Sequence, residues 1–190
     1  MRVLMLGNSF TYFNDMPKIL AELLGEEVVS HTRGGAFLSE QLNAETEMGA
    51  KTLKALQQEQ WDYVVLQEQS RAPIFCKENF HESVRALCKL IRAAGAKPVL
   101  YASWAYREGS EKLAGTELSY GEMDKGLYES YHEAAEENDA LIADVGKAFT
   151  AVRGIVDVYV EDDYHPSPAG SVLAAHCIAK VIEDDWRCRK

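Results

Sequence analysis

Paired cysteines are missing from this sequence. Cys76, Cys88, Cys177 and Cys188 stand far apart with no C-x-x-C spacing, which predicts four free thiols in a reducing, cytoplasmic setting. Long apolar runs are missing too, since none approaches the roughly 20 residues that span a bilayer. The opening Met-Arg-Val-Leu-Met-Leu-Gly is too short for a signal-peptide core and carries no cleavage site. Positive charge is in deficit: 20 Lys and Arg stand against 30 Asp and Glu, a formal charge of −10. That balance excludes a nucleic-acid or anionic-membrane partner. No internal repeat, low-complexity tract or Pro/Ser-rich linker breaks the chain, so residues 1–190 read as one domain. The G-x-G-x-x-G, P-loop and G-x-S-x-G signatures are absent as well. What is present is the material of an ordinary globular protein, 47% hydrophobic and 26% charged over 190 residues. At that length folding buries about 70% of the extended chain's surface, enough for a core without disulfides or a structural metal.

A short aliphatic or β-branched run followed by an amphipathic stretch is the recurring pattern. The runs are Arg2–Leu6, Glu27–His31, Tyr63–Leu66, Pro98–Ala102 and Ala140–Ala143. Helical patterns follow near Met16–Leu24, Ala50–Gln58, Asn79–Ala94, Glu122–Asn138 and Pro168–Ile182. Asp15 is placed to cap the first helix with Pro17 in its opening turn, and Gly95 to stop the third. Short apolar strands joined by helical crossovers predict an α/β fold, a three-layer sandwich around a five-stranded parallel sheet. Right-handed crossovers favour the flavodoxin-like strand order 2-1-3-4-5. All strand-to-helix loops then open at one edge, where function is expected.

Those loops carry complementary chemistry. In turn they present Gly7-Asn8-Ser9-Phe10, Arg33-Gly34-Gly35-Ala36, Gln67-Glu68-Gln69-Ser70, Ser103-Trp104 and Asp162-Asp163-Tyr164-His165-Pro166-Ser167. A serine hydroxyl needs a base to become a nucleophile, and a histidine needs an acidic neighbour to fix its tautomer. Pro166 biases His165 toward extended backbone just before a helix that Ser167 and Pro168 start. The Asp162 carboxylate can therefore fold back onto Nδ1, leaving Nε2 to face Ser9, with Asp163 as the rival orienter. Trp104, Tyr106 and Arg107 line an acceptor pocket in one reading, and Trp104 is core in the other. His31, His81, His132 and His176 lack a matching partner. His132 with Glu133, Glu136 and Glu137 is not a two-histidine zinc signature and reads as a solvent face. No metal or cofactor is expected.

Taken together, Gly7-Asn8-Ser9-Phe10 after the first strand and Asp162-x-x-His165-Pro166 before the last helix resemble the SGNH (GDSL-type) serine hydrolase family. The resemblance runs in the family's order from near the first residue to the closing helix. It implies Ser9 as nucleophile, His165 as base and Asp162 as orienter. It also implies an oxyanion hole made by the N–H groups of Ser9 and Gly35, or Gly34, and a third-block side-chain amide. Asn8 stands where the family commonly has aspartate, and Gln69 where it commonly has asparagine. The glutamine-rich third block is similar to that of carbohydrate O-acetylesterases, which points to a small-molecule ester, an acetylated sugar, as substrate. Two other readings remain open: a flavodoxin-like protein binding a flavin phosphate through Ser9 and Thr11, and a catalytically inactive carbohydrate-binding relative.

Overall fold

A computed structural model describes residues 1–188. Strands β1 (Arg2–Gly7), β2 (Glu27–Thr32), β3 (Tyr63–Leu66), β4 (Lys97–Tyr101) and β5 (Leu141–Ala143) form one sheet in the order β2-β1-β3-β4-β5. Every neighbouring pair is parallel, so the expected order and α/β class hold. Each strand boundary falls within one residue of its apolar run.

The helices are α1 (Ser9–Tyr12), α2 (Met16–Leu24), α3 (Glu47–Gln58), α4 (Ala72–Phe75), α5 (Lys77–Ala93), α6 (Glu111–Ala114), α7 (Tyr120–Glu137), α8 (Val145–Val152) and α9 (Pro168–Cys188). Short 3₁₀ turns occupy Phe13–Asp15 and Leu38–Leu42. Alternate strand residues enter two different cores. Val3, Met5, Tyr63, Val65, Val99 and Tyr101 meet α2, α8 and α9, whereas Leu4, Leu6, Val64, Leu66 and Leu100 meet α3 and α5. Helix α7 reaches both, with Met123 and Leu127 in the first core and Tyr131 and Ala134 in the second. Burial on both faces is why the strands read as unbroken apolar runs rather than as alternation.

The punctuation is partly as expected. Gly95 takes φ +80° after α5, and Ser167 Oγ caps α9 by accepting from Gly170 N at 3.2 Å. Asp15 does not cap α2. Asn14 and Asp15 both take left-handed backbone, φ 54° and 53°, which abandons the extended geometry a capping carboxylate needs. Helix α3 starts earlier than its amphipathic pattern, at Glu47, because Thr46 Oγ1 caps Gly49 N at 3.1 Å. The short α8 has no counterpart in the sequence reading. Among the described residues no helix is long and apolar enough to cross a membrane.

The direction of the crossovers reverses between β1 and β3. A crevice therefore opens beyond their carboxyl ends, flanked by the loop that starts at Asn8 and the loop that starts at Gln67.

Candidate active site

Ser9 opens α1 directly after β1, and its corner is fastened by side chains on both sides. Asn8 Oδ1 accepts from Phe10 N at 3.1 Å, and Gln67 Oε1 accepts from Asn8 N and Thr11 Oγ1, each at 3.0 Å. This close approach suits Gly7, since a Cβ there would lie 2.4 Å from Thr11 Oγ1 and 2.6 Å from Gln67 Oε1 and would push these fastening side chains out of place. From this corner Ser9 Oγ reaches His165 Nε2 at 2.7 Å. His165 Nδ1 lies 2.6 Å from Asp162 Oδ2, so the ring donates from Nδ1 and Nε2 is left to accept the serine proton.

The histidine sits on an arm that folds on itself. Val160 N donates to His165 O at 3.0 Å and Ser167 N to Val158 O at 2.9 Å, around an antiparallel bridge between Tyr159 and Pro166. Asp162 Oδ1 accepts from His165 N at 2.9 Å and Tyr164 N at 3.2 Å. Partial burial works against its ionisation, yet the bonds from the ring, from His165 N and from Tyr164 N hold the carboxyl below its usual range. Asp163, the rival, points elsewhere: its carboxylate pairs with Arg107 Nε at 2.7 Å and its carbonyl accepts from Arg107 N at 2.8 Å. The imidazole stacks on Phe13 with centroids 4.2 Å apart and planes 4° from parallel, and Tyr164 covers it at 4.0 Å. Asn14 Nδ2 ties the Phe13 turn to Pro166 O at 2.9 Å.

Ser9 and His165 open onto a cleft of about 580 Å³ that Gly34, Gly35 and Gln69 also line. Tyr12, Tyr106, Tyr164, Arg71 and Lys112 give it a largely polar rim. Gly35 has φ +68°, a conformation that suits glycine, and its neighbour Ala36 O is held by Asn8 Nδ2 at 3.0 Å. Gln69 Oε1 is occupied, accepting from Arg71 N at 2.9 Å and Ala72 N at 3.2 Å. Among the described residues its Nε2 makes only a long contact to Ser70 Oγ, 3.4 Å. Among the described residues no protein group accepts from the N–H of Ser9 or of Gly35.

Other candidates sort differently. Trp104 is core: it is fully buried and stacked between Phe10 at 4.5 Å and Phe149 at 4.0 Å. Tyr106 does line the cleft, with its hydroxyl 2.7 Å from Ser70 Oγ, while Arg107 braces Asp157 and Asp163. Both hydroxyls of the flavin reading are engaged, Ser9 Oγ with His165 and Thr11 Oγ1 with Gln67. His31 is buried beside Thr52 and His176 is exposed on α9, whereas His81, buried beside Ser130, does have an acidic partner, Glu137 Oε2 at 3.4 Å from its Nδ1. His132 does have a partner, Asp144 Oδ1 at 2.7 Å, because the start of α8 packs against α7. Among the described residues no three His, Cys, Asp or Glu side chains could hold a metal ion. The sequence reading overlooked Phe13 and the fastening of the Ser9 corner by Gln67. The available signal was Gln67-Glu68-Gln69 itself, three long polar residues leaving a buried strand at a sheet edge.

No family model and no curated protein matches the sequence. Solved structures do. A candidate SGNH hydrolase from Slackia heliotrinireducens is 47% identical with a TM-score of 0.92, the match covering 96% of this chain and 98% of that one. Two more distant structures share the fold. An acetylxylan esterase from Geobacillus stearothermophilus is 19% identical with a TM-score of 0.71, covering 95% of this chain and 93% of that one. An α/β hydrolase from the metagenome of Lake Arreo, Spain, is 16% identical with a TM-score of 0.74, covering 96% and 94%. With nearly half of its residues identical to the first of these over almost the whole of both chains, this chain belongs to the SGNH hydrolases.

Proposed function

We propose that the protein is a serine esterase that removes small acyl groups, acetyl foremost, from the hydroxyls of a sugar-like alcohol through an acyl-enzyme on Ser9. The observation that carries this reading is the continuous line from Ser9 Oγ through the imidazole to Asp162, 2.7 Å and then 2.6 Å. His165 Nε2 takes the serine proton as Oγ attacks the ester carbonyl, and Asp162 keeps Nδ1 protonated and supports the imidazolium. The oxyanion receives the N–H groups of Ser9 and Gly35 and the amide of Gln69, whose orientation is set because Oε1 is already bonded to backbone. The C–O bond to the alcohol then breaks as His165 returns its proton to the leaving oxygen. Water, deprotonated by the same nitrogen, releases the acid and restores Ser9.

The open, polar-rimmed cleft favours a short acyl group on a hydrated alcohol over a long hydrocarbon chain. Supporting the same substrate class, the Geobacillus enzyme of similar fold is an acetylxylan esterase, and catalytic mutants of it replace a serine or a histidine with alanine. Treatment with a fluorophosphonate should add its mass to the peptide containing Ser9. Ser9→Ala should lower hydrolysis of p-nitrophenyl acetate and of acetylated xylo-oligosaccharides by at least about 10³-fold. Labelling at another residue, or full activity in the alanine variant, refutes the reading.

A further inference from the structure

Glu68 is an acidic residue where the fold has no obvious use for charge. It is the second residue after β3, its side chain is fully buried, and it takes no part in the chemistry proposed above. Its Oε1 accepts two backbone donors, Leu38 N at 3.1 Å and Gln69 N at 2.6 Å. Among the described residues Oε2 is buried with no hydrogen-bond partner. The two donors belong to different loops. Leu38 ends the segment that carries Gly35, which is also held by Asn8 Nδ2 to Ala36 O and by Phe37 N to Glu40 Oε1. Gln69 is the side chain assigned above to the oxyanion.

We propose that Glu68 is a positioning residue for the oxyanion hole, one of its two buried oxygens, Oε1, tying the Gly35 loop to Gln69. The proposal rests on the esterase reading for the identity of the donors, but the tie itself is a matter of geometry. A hydrogen-bonded acceptor shared by both loops fixes their separation, and donors aimed at an oxyanion lose much of their value when displaced. The same surroundings favour the neutral acid. Burial pushes the carboxyl up to about 7 against the two backbone bonds, and the nearby Glu40 carboxylate adds to the rise. Glu40 is itself paired with Arg33. From α7 the group that faces Glu68 is the Tyr131 hydroxyl, which accepts from Glu68 N at 3.2 Å. A negative charge formed here lies beneath donors meant for another negative charge, so ionisation of Glu68 should slow the reaction.

The test compares wild type, Glu68→Gln and Glu68→Leu on p-nitrophenyl acetate from pH 5.5 to 9, with hydrogen exchange of the peptides covering Gly34–Leu38 and Gln69–Ser70. Glutamine keeps the acceptor and cannot ionise; leucine removes it. Glu68→Leu should lower kcat by about 10-fold or more with KM within about twofold, and should speed exchange in both peptides. Glu68→Gln should recover kcat to within about threefold at pH 6 and abolish the decline expected of wild type above about pH 7. Wild-type kcat in Glu68→Leu, unchanged exchange, or an alkaline decline persisting in Glu68→Gln overturns the proposal. If Glu68→Leu does not fold, the Glu68→Gln profile decides. A wild-type protein that neither turns over ester nor labels at Ser9 refutes the esterase reading instead, and exchange then still reports on the tie.

Discussion

Two walls of the cleft are built on opposite plans. On the histidine arm the bonds made by the orienting carboxylate are local: Asp162 holds His165 and Tyr164 across two or three residues, and its side chain is 41% exposed. Beneath Ser9 the partners are distant in sequence. Asn8 reaches Ala36, 28 residues away, Glu68 reaches Leu38, 30 away, and Gln67 reaches Asn8, 59 away, all buried. A local, partly solvated arm can lose one bond and let water replace it. A buried network leaves the abandoned partner unsatisfied, at a cost of about 1–3 kcal/mol. The arm should therefore answer to mutation mainly in rate, and the floor in both rate and stability.

The largest effect should come from the arm. Asp162→Asn keeps the size of the side chain but favours the wrong tautomer of His165, and kcat should fall by about 10³- to 10⁴-fold with little change in melting temperature. Asp163→Asn disturbs only the Arg107 pair and should leave kcat within about threefold. Equal losses in the two variants would show that the orienting carboxylate has been misassigned.

On the floor, Gln69→Ala should lower kcat by about 10²-fold with KM nearly unchanged, the loss expected for one oxyanion donor when two remain. Gln69→Asn should recover only part of it, because the loop that fixes Oε1 against Arg71 N and Ala72 N is shaped for the longer stem. Undiminished kcat in Gln69→Ala would remove the amide from the hole.

The smallest effect should be in the pH dependence of stability, where two buried groups oppose each other. Glu68, raised to about 7 by burial, keeps its proton in the folded chain after the unfolded chain has released it near 4.5, so its contribution falls as pH rises across that window. His31, lowered to about 4 by burial and by Lys51, stays neutral when folded while the unfolded chain protonates below about 6.5, so its contribution rises with pH. Between about pH 4.5 and 6.5 the two slopes offset. In urea melts Glu68→Gln should gain on wild type by about 1–3 kcal/mol as pH rises from 4.5 to 7. A constant difference across that range would show that Glu68 is not held neutral.

The same contrast explains what could be read in advance. Asp162, His165, Pro166, Ser167 and Pro168 are neighbours, and their geometry follows from local rules. The sheet was legible because strands buried on both faces leave unbroken apolar runs, and order 2-1-3-4-5 follows from crossover handedness. Glu68 and Phe13 were not legible. Their meaning depends on Leu38 and His165, which only the folded crossovers bring near. Asp15 misled for the opposite reason: its residue type favours a cap, but the left-handed turn it shares with Asn14 overrides that preference. His132 was set aside because its partner, Asp144, lies beyond the next turn of chain.

The stacked indole of Trp104 also equips the protein with an optical reporter. Its ring touches Phe10, one residue from the serine, and its N–H is held by the carbonyl of Tyr164, one residue from the histidine. Trp61 lies beneath the Arg2 guanidinium and Trp186 beside Tyr63, both away from the cleft. Once those two are replaced by phenylalanine, the tryptophan emission that remains comes from a fluorophore clasped by both halves of the proposed catalytic apparatus. It would register displacement of either half during turnover of a natural, colourless ester.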